Sequence, residues 1–310
     1  MKRKAASLFM CAAAAAAAWA DISAAIAGGT VWTSVVGAAV LLATSIFVTG
    51  RFLWRAAKAV FAAVLVVLTV QLALPTVGGA VAARWIAVGD IRLYSCGFIM
   101  LMLPFFARAV LTAGASLLRR CICTAVLLYT MVAVFMQPNL KVALEMALGC
   151  LFFFLFLGAK GRFGQYRWLA LPALFSLAVV GYILFRTGQA HGLLFVGALK
   201  PESFWPDGAA IRMTVLYLLL LAGLFWSAHR QQEPFAWGVT ALTASALLAC
   251  FAVSLTATVF SGAWQVTDLP LFSGEPTVKL SSYAVLGSVI ALSLRSGVGQ
   301  RRDDAAAAPQ

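Results

Sequence analysis

Long apolar blocks dominate this sequence and limit what it can fold into. Ten of them are near the roughly 20 residues that an α-helix needs to cross about 30 Å of hydrocarbon. Of the 310 residues, 63% are hydrophobic and 11% are charged, whereas a soluble domain carries about 25% charged residues. The pattern predicts an all-α polytopic membrane protein of about ten transmembrane helices, at residues 6–27, 30–50, 57–75, 94–114, 119–137, 139–158, 168–186, 209–228, 235–259 and 280–297.

The positions of Lys and Arg predict the orientation of these helices, because positively charged loops stay in the cytoplasm. With the N-terminus inside, 16 of the 23 Lys and Arg residues fall at cytoplasmic ends and seven fall on or near the outer side. We therefore expect a multi-pass protein of a bacterial inner (cytoplasmic) membrane with cytoplasmic N- and C-termini. No basic run exceeds three residues, so the net charge of +13 indicates membrane topology and no nucleic-acid partner.

The two ends of the chain differ from the rest. A Lys-Arg-Lys start, an alanine-rich core and Ala18-Trp19-Ala20 before Asp21 are typical of a signal peptide. We expect residues 1–29 to stay as a membrane helix, with cleavage as the alternative, and the second helix begins outside in both cases. Residues 30–297 then form the transmembrane domain, and residues 298–310 form a disordered cytoplasmic tail.

No cofactor or metal site is expected. The two histidines, His191 and His229, are far apart in sequence, and the cysteines have neither a disulfide nor a metal-binding pattern. A nucleophile triad, a glycine-rich phosphate loop and zinc-ligand spacing are all absent from the sequence. Four cysteines lie inside apolar blocks and two lie just inside a helix start: Cys11, Cys96, Cys150 and Cys250, and then Cys121 and Cys123.

Charged residues inside apolar blocks are the first candidates for a site, since each costs about 2.5 to 3.5 kcal/mol at a membrane helix centre. Lys141 and Glu145 are one turn apart near the outer end of the sixth helix, so each can neutralise the other. They line a polar cavity for an anionic lipid headgroup, or else Lys141 extends outward while Glu145 only pairs with it. Asp21 and Arg108 are expected to be ordinary boundary residues.

Two outer segments also carry candidates. Residues 83–93 contain Arg84 and Trp85 and are expected to anchor the chain at the membrane surface, with a phosphate contact by Arg84 as the alternative. Loop 260–279 contains Pro270 and Pro276, so its backbone is not a continuous helix. It forms a surface turn or lines a cavity, because lipid cannot cover its free polar groups.

Three segments, taken in order, resemble the FtsW/RodA/SpoVE (SEDS) family of cell division and cell-shape control. The family has Gly-Ala-x-Arg-Trp-Ile-x-Leu-Gly after its third helix, and residues 83–89 have Ala-Arg-Trp-Ile-Ala-Val-Gly. Its Gln-Pro-Asp-Leu-Gly-Thr-Ala-Leu corresponds to Gln-Pro-Asn-Leu-Lys-Val-Ala-Leu at residues 137–144. Before its tenth helix the family has Pro-x-Thr-Gly-x-Pro-Leu-Pro-Phe-x-Ser-Tyr-Gly-Gly. Residues 269–283 keep Gly274, Pro276 and Ser281 in register.

The sequence also departs from the family pattern. The family's fourth helix opens with Gln-Pro-Ser-Glu and a following Lys, whereas residues 94–97 are Tyr-Ser-Cys-Gly. Its long outer loop, with Leu-Pro-Glu-x-His-Thr-Asp-Phe and a catalytic Asp, is shortened here to about 22 residues at 187–208. Only residues 199–207 are similar to that motif, and Asp207 is displaced by one position.

The resemblance implies a SEDS-like bundle that handles lipid II, the polyprenyl-pyrophosphate-linked peptidoglycan precursor, in contact with membrane lipid. As a peptidoglycan glycosyltransferase it would use Asp207 as the base, with Glu202 second. The candidate precursor-binding residues are Arg84, Trp85, Gln137, Lys141, Glu145, Lys200, Lys279 and Ser281. The alternatives are a non-catalytic partner of a penicillin-binding protein or divisome component, and a secondary transporter or flippase. Whether the chain catalyses stays open, and a weak or absent activity with retained lipid or partner binding is favoured.

Overall fold

The computed structural model describes residues 2–28, 31–73, 85–88, 91–113, 116–136, 140–159, 167–189, 207–261, 269–273 and 275–306. Within these ranges the chain forms ten α-helices, which confirms the predicted bundle of about ten helices. They are α1 (Lys2–Gly28), α2 (Val31–Phe47), α3 (Gly50–Ala73), α4 (Leu103–Ala113), α5 (Leu117–Met136), α6 (Leu140–Ala159), α7 (Ala170–Gln189), α8 (Asp207–Arg230), α9 (Pro234–Ser261) and α10 (Pro276–Ala306). Short 3₁₀ helices span Ser95–Met102, Arg167–Leu169 and Pro270–Phe272.

The length and composition of the helices are those of a multi-pass membrane protein. Six helices in the described part are long and apolar enough to cross a membrane: Lys4–Ile26, Gly50–Gln71, Leu117–Phe135, Ile211–Arg230, Pro234–Leu255 and Pro276–Arg295. Shorter apolar helical stretches span Val31–Phe47, Cys96–Leu111 and Ala170–Tyr182. Large apolar side chains such as Trp32 and Leu42 are exposed on the outside of the bundle, as a lipid-facing surface requires.

The last two helices form the centre of the bundle. Of the apolar stretch of α10, 78% is buried inside the protein, whereas only 22% of the apolar stretch of α3 is buried. Helix α10 packs against α2 and the Ser95–Met102 3₁₀ helix, while α9 packs against α6, α8 and α4. Small residues permit the close approach of α10 to α2, since a Cβ atom at Gly287 would collide with Thr44 and with the carbonyl oxygen of Leu41.

The alanine-rich α1 is packed into the same bundle. It lies along α8, where a Cβ atom at Gly223 would be 3.1 Å from the Cα atom of Met10. Four alanines of its low-complexity stretch are buried: Ala13, Ala14, Ala17 and Ala18. Small side chains let helices approach closely in a membrane, so the alanine run supplies a packing surface.

The chain before α4 differs from the prediction, which places a continuous fourth helix over residues 94–114. In this segment β1 (Trp85–Val88) and β2 (Ile91–Tyr94) pair antiparallel, with Trp85 opposite Tyr94 and Val88 opposite Ile91. The 3₁₀ helix follows, and α4 begins only at Leu103. Pro104 explains this start, because a residue without an amide N–H is tolerated in the first turn of an α-helix but not in its interior.

The end of the bundle is held by Arg295 of α10. Its guanidinium donates hydrogen bonds to the carbonyl oxygens of Ile46 and Val48, the latter at 2.9 Å. These carbonyls lie at the C-terminal end of α2, where no helical N–H group is left to bind them and where a cation is favourable. Helix α10 continues to Ala306, past residue 298 where the sequence suggests a disordered tail.

Candidate functional site

A mainly apolar cavity of about 130 Å³ lies inside the bundle. Its walls come from α4, α5, α6, α7 and α9, from the Ser95–Met102 3₁₀ helix, and from Leu169 and Pro270 of the other two 3₁₀ helices. Val278 in the first turn of α10 completes the lining. Leu, Phe, Met and Cys side chains supply most of the surface, with Phe106, Met146 and Phe153 among them. Such a lining favours an apolar chain over a polar solute, because it offers few hydrogen-bonding groups.

Glu145 brings a charge to this lining. It projects from α6, and its Oε1 atom is 3.9 Å from the Nζ atom of Lys141, one helical turn earlier. The two side chains are only 15% and 20% exposed, so each charge is largely shielded from solvent and depends on the other. The structure therefore joins an apolar cavity to an ion pair, an arrangement suited to an amphipathic ligand.

A second polar cluster joins α1, α2 and α10. The ammonium of Lys279 donates to both carboxylate oxygens of Asp21, at 3.0 and 3.1 Å, and to the hydroxyl of Ser34 at 2.9 Å. The hydroxyl of Tyr283 donates to Asp21 Oδ2 at 3.3 Å. Asp21 is 2% exposed and Lys279 is 3% exposed, so both charges are buried.

The expectation that Asp21 is an ordinary boundary residue is therefore wrong. Helix α1 continues past Asp21 to Gly28, so Asp21 lies within the helix and not at its end. Its partner Lys279 lies in the first turn of α10, 258 residues away along the chain. Arg108 is half-buried between α4 and α3, where it donates to the carbonyl oxygen of Trp54 and lies 4.6 Å from the centre of that ring.

A further set of uncharged contacts joins α1, α8 and α10 at their cytoplasmic ends in the predicted topology. The hydroxyl of Ser7 donates to the carbonyl oxygen of Ser293 at 3.3 Å. The hydroxyl groups of Ser227 and Ser293 are 3.0 Å apart, and the side-chain amide of Gln231 donates to Ser293 Oγ at 2.9 Å. Helix α1 is thus bonded to α10 at two separate levels.

The predicted site residues fall into four groups. Lys141 and Glu145 come together as a pair, and Glu145 lines the cavity, whereas Lys279 and Ser281 are buried in α10 and are not among the lining residues. Trp85 lies in β1 and Asp207 is the first residue of α8, with only their backbones described. The remaining four lie outside the described residues: Arg84, Gln137, Lys200 and Glu202.

The sequence does not predict that Asp21 and Ser34 belong to a polar cluster. The available signal was Asp21 itself, an ionisable residue in an apolar block, which calls for a buried partner. Ser34 carried no signal, since a lone serine in a membrane helix can bond to its own backbone.

Comparison with solved structures identifies the fold. The chain matches the crystal structure of the Thermus thermophilus rod shape determining protein RodA with a TM-score of 0.64 and 18% identity, covering 92% of this chain and 96% of that chain. A mutant of the same RodA gives a TM-score of 0.63 at 20% identity, covering 94% of this chain and 97% of that chain. A chain from a peptidoglycan synthase complex that coordinates polymerization and crosslinking gives the same four values.

No family model and no curated protein matches the sequence. The chain nevertheless has a RodA-like fold over nearly its whole length, and the predicted SEDS-like architecture is confirmed.

Proposed function

We propose that this RodA-like protein is an inner-membrane component of bacterial cell-shape control and division that binds a polyprenyl-linked peptidoglycan precursor, lipid II. The observation that carries the proposal is the apolar cavity with the Lys141–Glu145 pair on its α6 wall. The RodA-like fold supports it, because the matched structures include a peptidoglycan synthase complex. In this proposal the protein crosses the membrane with both termini in the cytoplasm.

The apolar lining of the cavity fits the isoprenoid chain of such a lipid, and the charged residues beside the cavity fit its pyrophosphate. An isoprenoid chain already lies in hydrocarbon, so it can enter the apolar lining without exposing polar groups, and close packing against the side chains supplies the contact energy. A pyrophosphate needs cations, and Lys141 is the described candidate near the cavity, with Arg84 and Lys200 assigned to the same role from the sequence. Glu145, which lines the cavity, holds the Lys141 ammonium beside it. Lys279 is not proposed as a pyrophosphate-binding cation, because its ammonium is already bound by Asp21.

The proposed activity is binding with weak or absent glycosyl transfer. Asp207 is the candidate base and Glu202 the second, but the segment that replaces the family's acid and base is Tyr94-Ser95-Cys96-Gly97. Loss of a positioned general base typically costs a factor of about 10² to 10⁴ in rate. A protein with this fold and such a loss would serve as a lipid-binding partner of a penicillin-binding protein or another divisome component.

Photo-crosslinking tests the binding step. A polyprenyl phosphate with a diazirine in its chain is added to the protein in lipid nanodiscs, and the modified peptides are identified. Ala173 is buried in the cavity wall on α7, so Ala173→Phe fills the space. Gly181 lies on the same helix with nothing within 4 Å of an added Cβ atom, so Gly181→Phe is the matched control.

We expect Ala173→Phe to lower crosslinking about tenfold, the effect of roughly 1.4 kcal/mol of lost binding, while Gly181→Phe leaves it unchanged. Thermal unfolding of both variants checks that each still folds. Equal crosslinking of wild type and Ala173→Phe would place the lipid outside this cavity and refute the proposal.

A further inference from the structure

We propose that Asp21 and Lys279 are positioning residues, whose ion pair holds the first turn of α10 against α1 and α2 and so fixes one wall of the cavity. The inference goes beyond the proposed function, because it concerns the shape of the cavity whatever ligand enters it. It depends on four observations: the geometry of the pair, its burial, the neighbouring cavity wall and a second contact between the same helices.

The geometry of the pair is directional. Lys279 donates to Asp21 Oδ1, Asp21 Oδ2 and Ser34 Oγ, all within 3.1 Å. Tyr283, one turn further along α10, donates to the same carboxylate. Charge neutralisation alone would need only one contact between the ammonium and the carboxylate. These four bonds together fix the position of the first turn of α10 in all directions.

Because the ion pair is buried, separating Asp21 from Lys279 has a high cost in free energy. Both charged groups are at most 3% exposed, so separating them leaves two unpaired charges away from water. The aromatic ring of Tyr283 is held as well, because a Cβ atom at Gly37 of α2 would be 2.6 Å from it. The start of α10 therefore has one strongly preferred position relative to α1 and α2.

The cavity wall is continuous with this turn. Val278, the residue immediately before Lys279, lines the cavity, and Pro270 of the preceding 3₁₀ helix lines it too. Gly97 of the Ser95–Met102 3₁₀ helix also lines the cavity, and a Cβ atom there would be 2.5 Å from Thr277 Oγ1 and 2.8 Å from Val278 N. A shift of the first turn of α10 must therefore change the cavity directly.

A second contact between α1 and α10 provides an internal comparison. Ser7 bonds to Ser293. Ser7 and Asp21 are 14 residues apart in α1, and Lys279 and Ser293 are likewise 14 residues apart in α10 (21 − 7 and 293 − 279). At 1.5 Å per residue, the two contacts are about 21 Å apart on antiparallel helices. Only the Asp21–Lys279 contact adjoins the cavity, so loss of the Ser7 contact should affect helix packing without changing the cavity.

The protein's own cysteines can report the result. Cys96, Cys150 and Cys250 line the cavity, whereas Cys123 of α5 is buried and is not among the lining residues. None of the six cysteines is in a disulfide. Modification by N-ethylmaleimide in nanodiscs, followed by peptide mass spectrometry, therefore measures access to the cavity relative to a buried reference thiol in each molecule.

The variants are Asp21→Asn, Lys279→Met, the double variant Asp21→Leu with Lys279→Met, and Ser7→Ala. We expect each single charge loss to lower the unfolding temperature by about 10 °C, and the apolar double variant to recover most of that loss. All three should raise modification of the cavity cysteines about tenfold relative to Cys123. Ser7→Ala should leave this ratio at its wild-type value.

Four results would overturn the inference. Recovery of both stability and wild-type cysteine modification in the double variant would show that the pair only neutralises charge. Equal increases at Cys123 and at the cavity cysteines, or an equal effect of Ser7→Ala, would indicate general loosening of the bundle. Unchanged modification in every variant would show that the cavity wall does not depend on the pair. If the single variants fail to fold, the double variant and Ser7→Ala decide the question.

Discussion

At the scale of single residues, Lys141 and Glu145 determine whether the cavity carries a coupled charge pair. They are 3.9 Å apart and largely buried, so removal of either leaves the other poorly solvated. We expect Lys141→Leu and Glu145→Leu each to destabilise the protein in detergent by about 1 to 2 kcal/mol, and the double variant to lose about 1 kcal/mol less than the sum.

Unfolding of the four proteins of this double-mutant cycle gives the coupling free energy. Strict additivity of the two single losses would mean that Lys141 and Glu145 do not interact. Met146 supplies a control position on the same helix, because Met146→Leu conserves volume in the cavity wall and should cost less than about 1.5 kcal/mol.

Residue-level prediction from the sequence succeeded where both partners lay close together in the chain. The spacing of Lys141 and Glu145 fixes their contact on one helix face, so the pair was predictable. The pairing of Asp21 with Lys279 depends on how α1 and α10 pack, and no local pattern contains that information. For the same reason the sequence predicts Lys279 to be a phosphate-binding cation, although its ammonium is bound by Asp21.

At the scale of helices, the contact between α2 and α10 depends on glycine at position 287. A Cβ atom there would overlap Thr44, whose hydroxyl is itself bonded to Val40 O at 2.8 Å. We expect Gly287→Ala to destabilise the protein by about 1 to 3 kcal/mol, because the two helices must separate to admit the methyl group.

Gly181→Ala is the matched control for this substitution. It also replaces a helical glycine, but in open space, where alanine should be neutral or stabilising by up to about 1 kcal/mol. Thermal unfolding of both variants in the same detergent gives the comparison. If Gly287→Ala is as stable as Gly181→Ala, the packing of α2 against α10 is looser than the structure indicates.

The helices themselves were largely predictable because their apolar blocks match the thickness of a membrane. The pairing of β1 with β2 was not predicted, although Gly89-Asp90 between two four-residue apolar-rich runs is a recognised sequence signal for paired strands. The late start of α4 could have been inferred from Pro104, since proline favours the first turn of a helix.

At the scale of the whole molecule, the RodA-like fold followed from the order of three weak motifs along a ten-helix pattern. The cavity did not, because its lining combines residues of three 3₁₀ helices and six α-helices. Most lining residues are Leu, Phe, Met, Ala and Cys, which look the same in sequence whether they face a cavity, a neighbouring helix or lipid. Tertiary packing alone distinguishes these environments.

The proposed function requires that this protein retain precursor binding while its glycosyl transfer is weak or absent. The direct measurement is to give the purified protein fluorescent lipid II, with and without a penicillin-binding protein, and to record bound lipid and glycan product together, beside Asp207→Ala. We predict retained lipid II with little or no glycan, as loss of a positioned base, worth about 10² to 10⁴ in rate, would produce. Robust polymerisation abolished by Asp207→Ala would contradict the account and establish Asp207 as the base, and failure to retain lipid II would remove its premise.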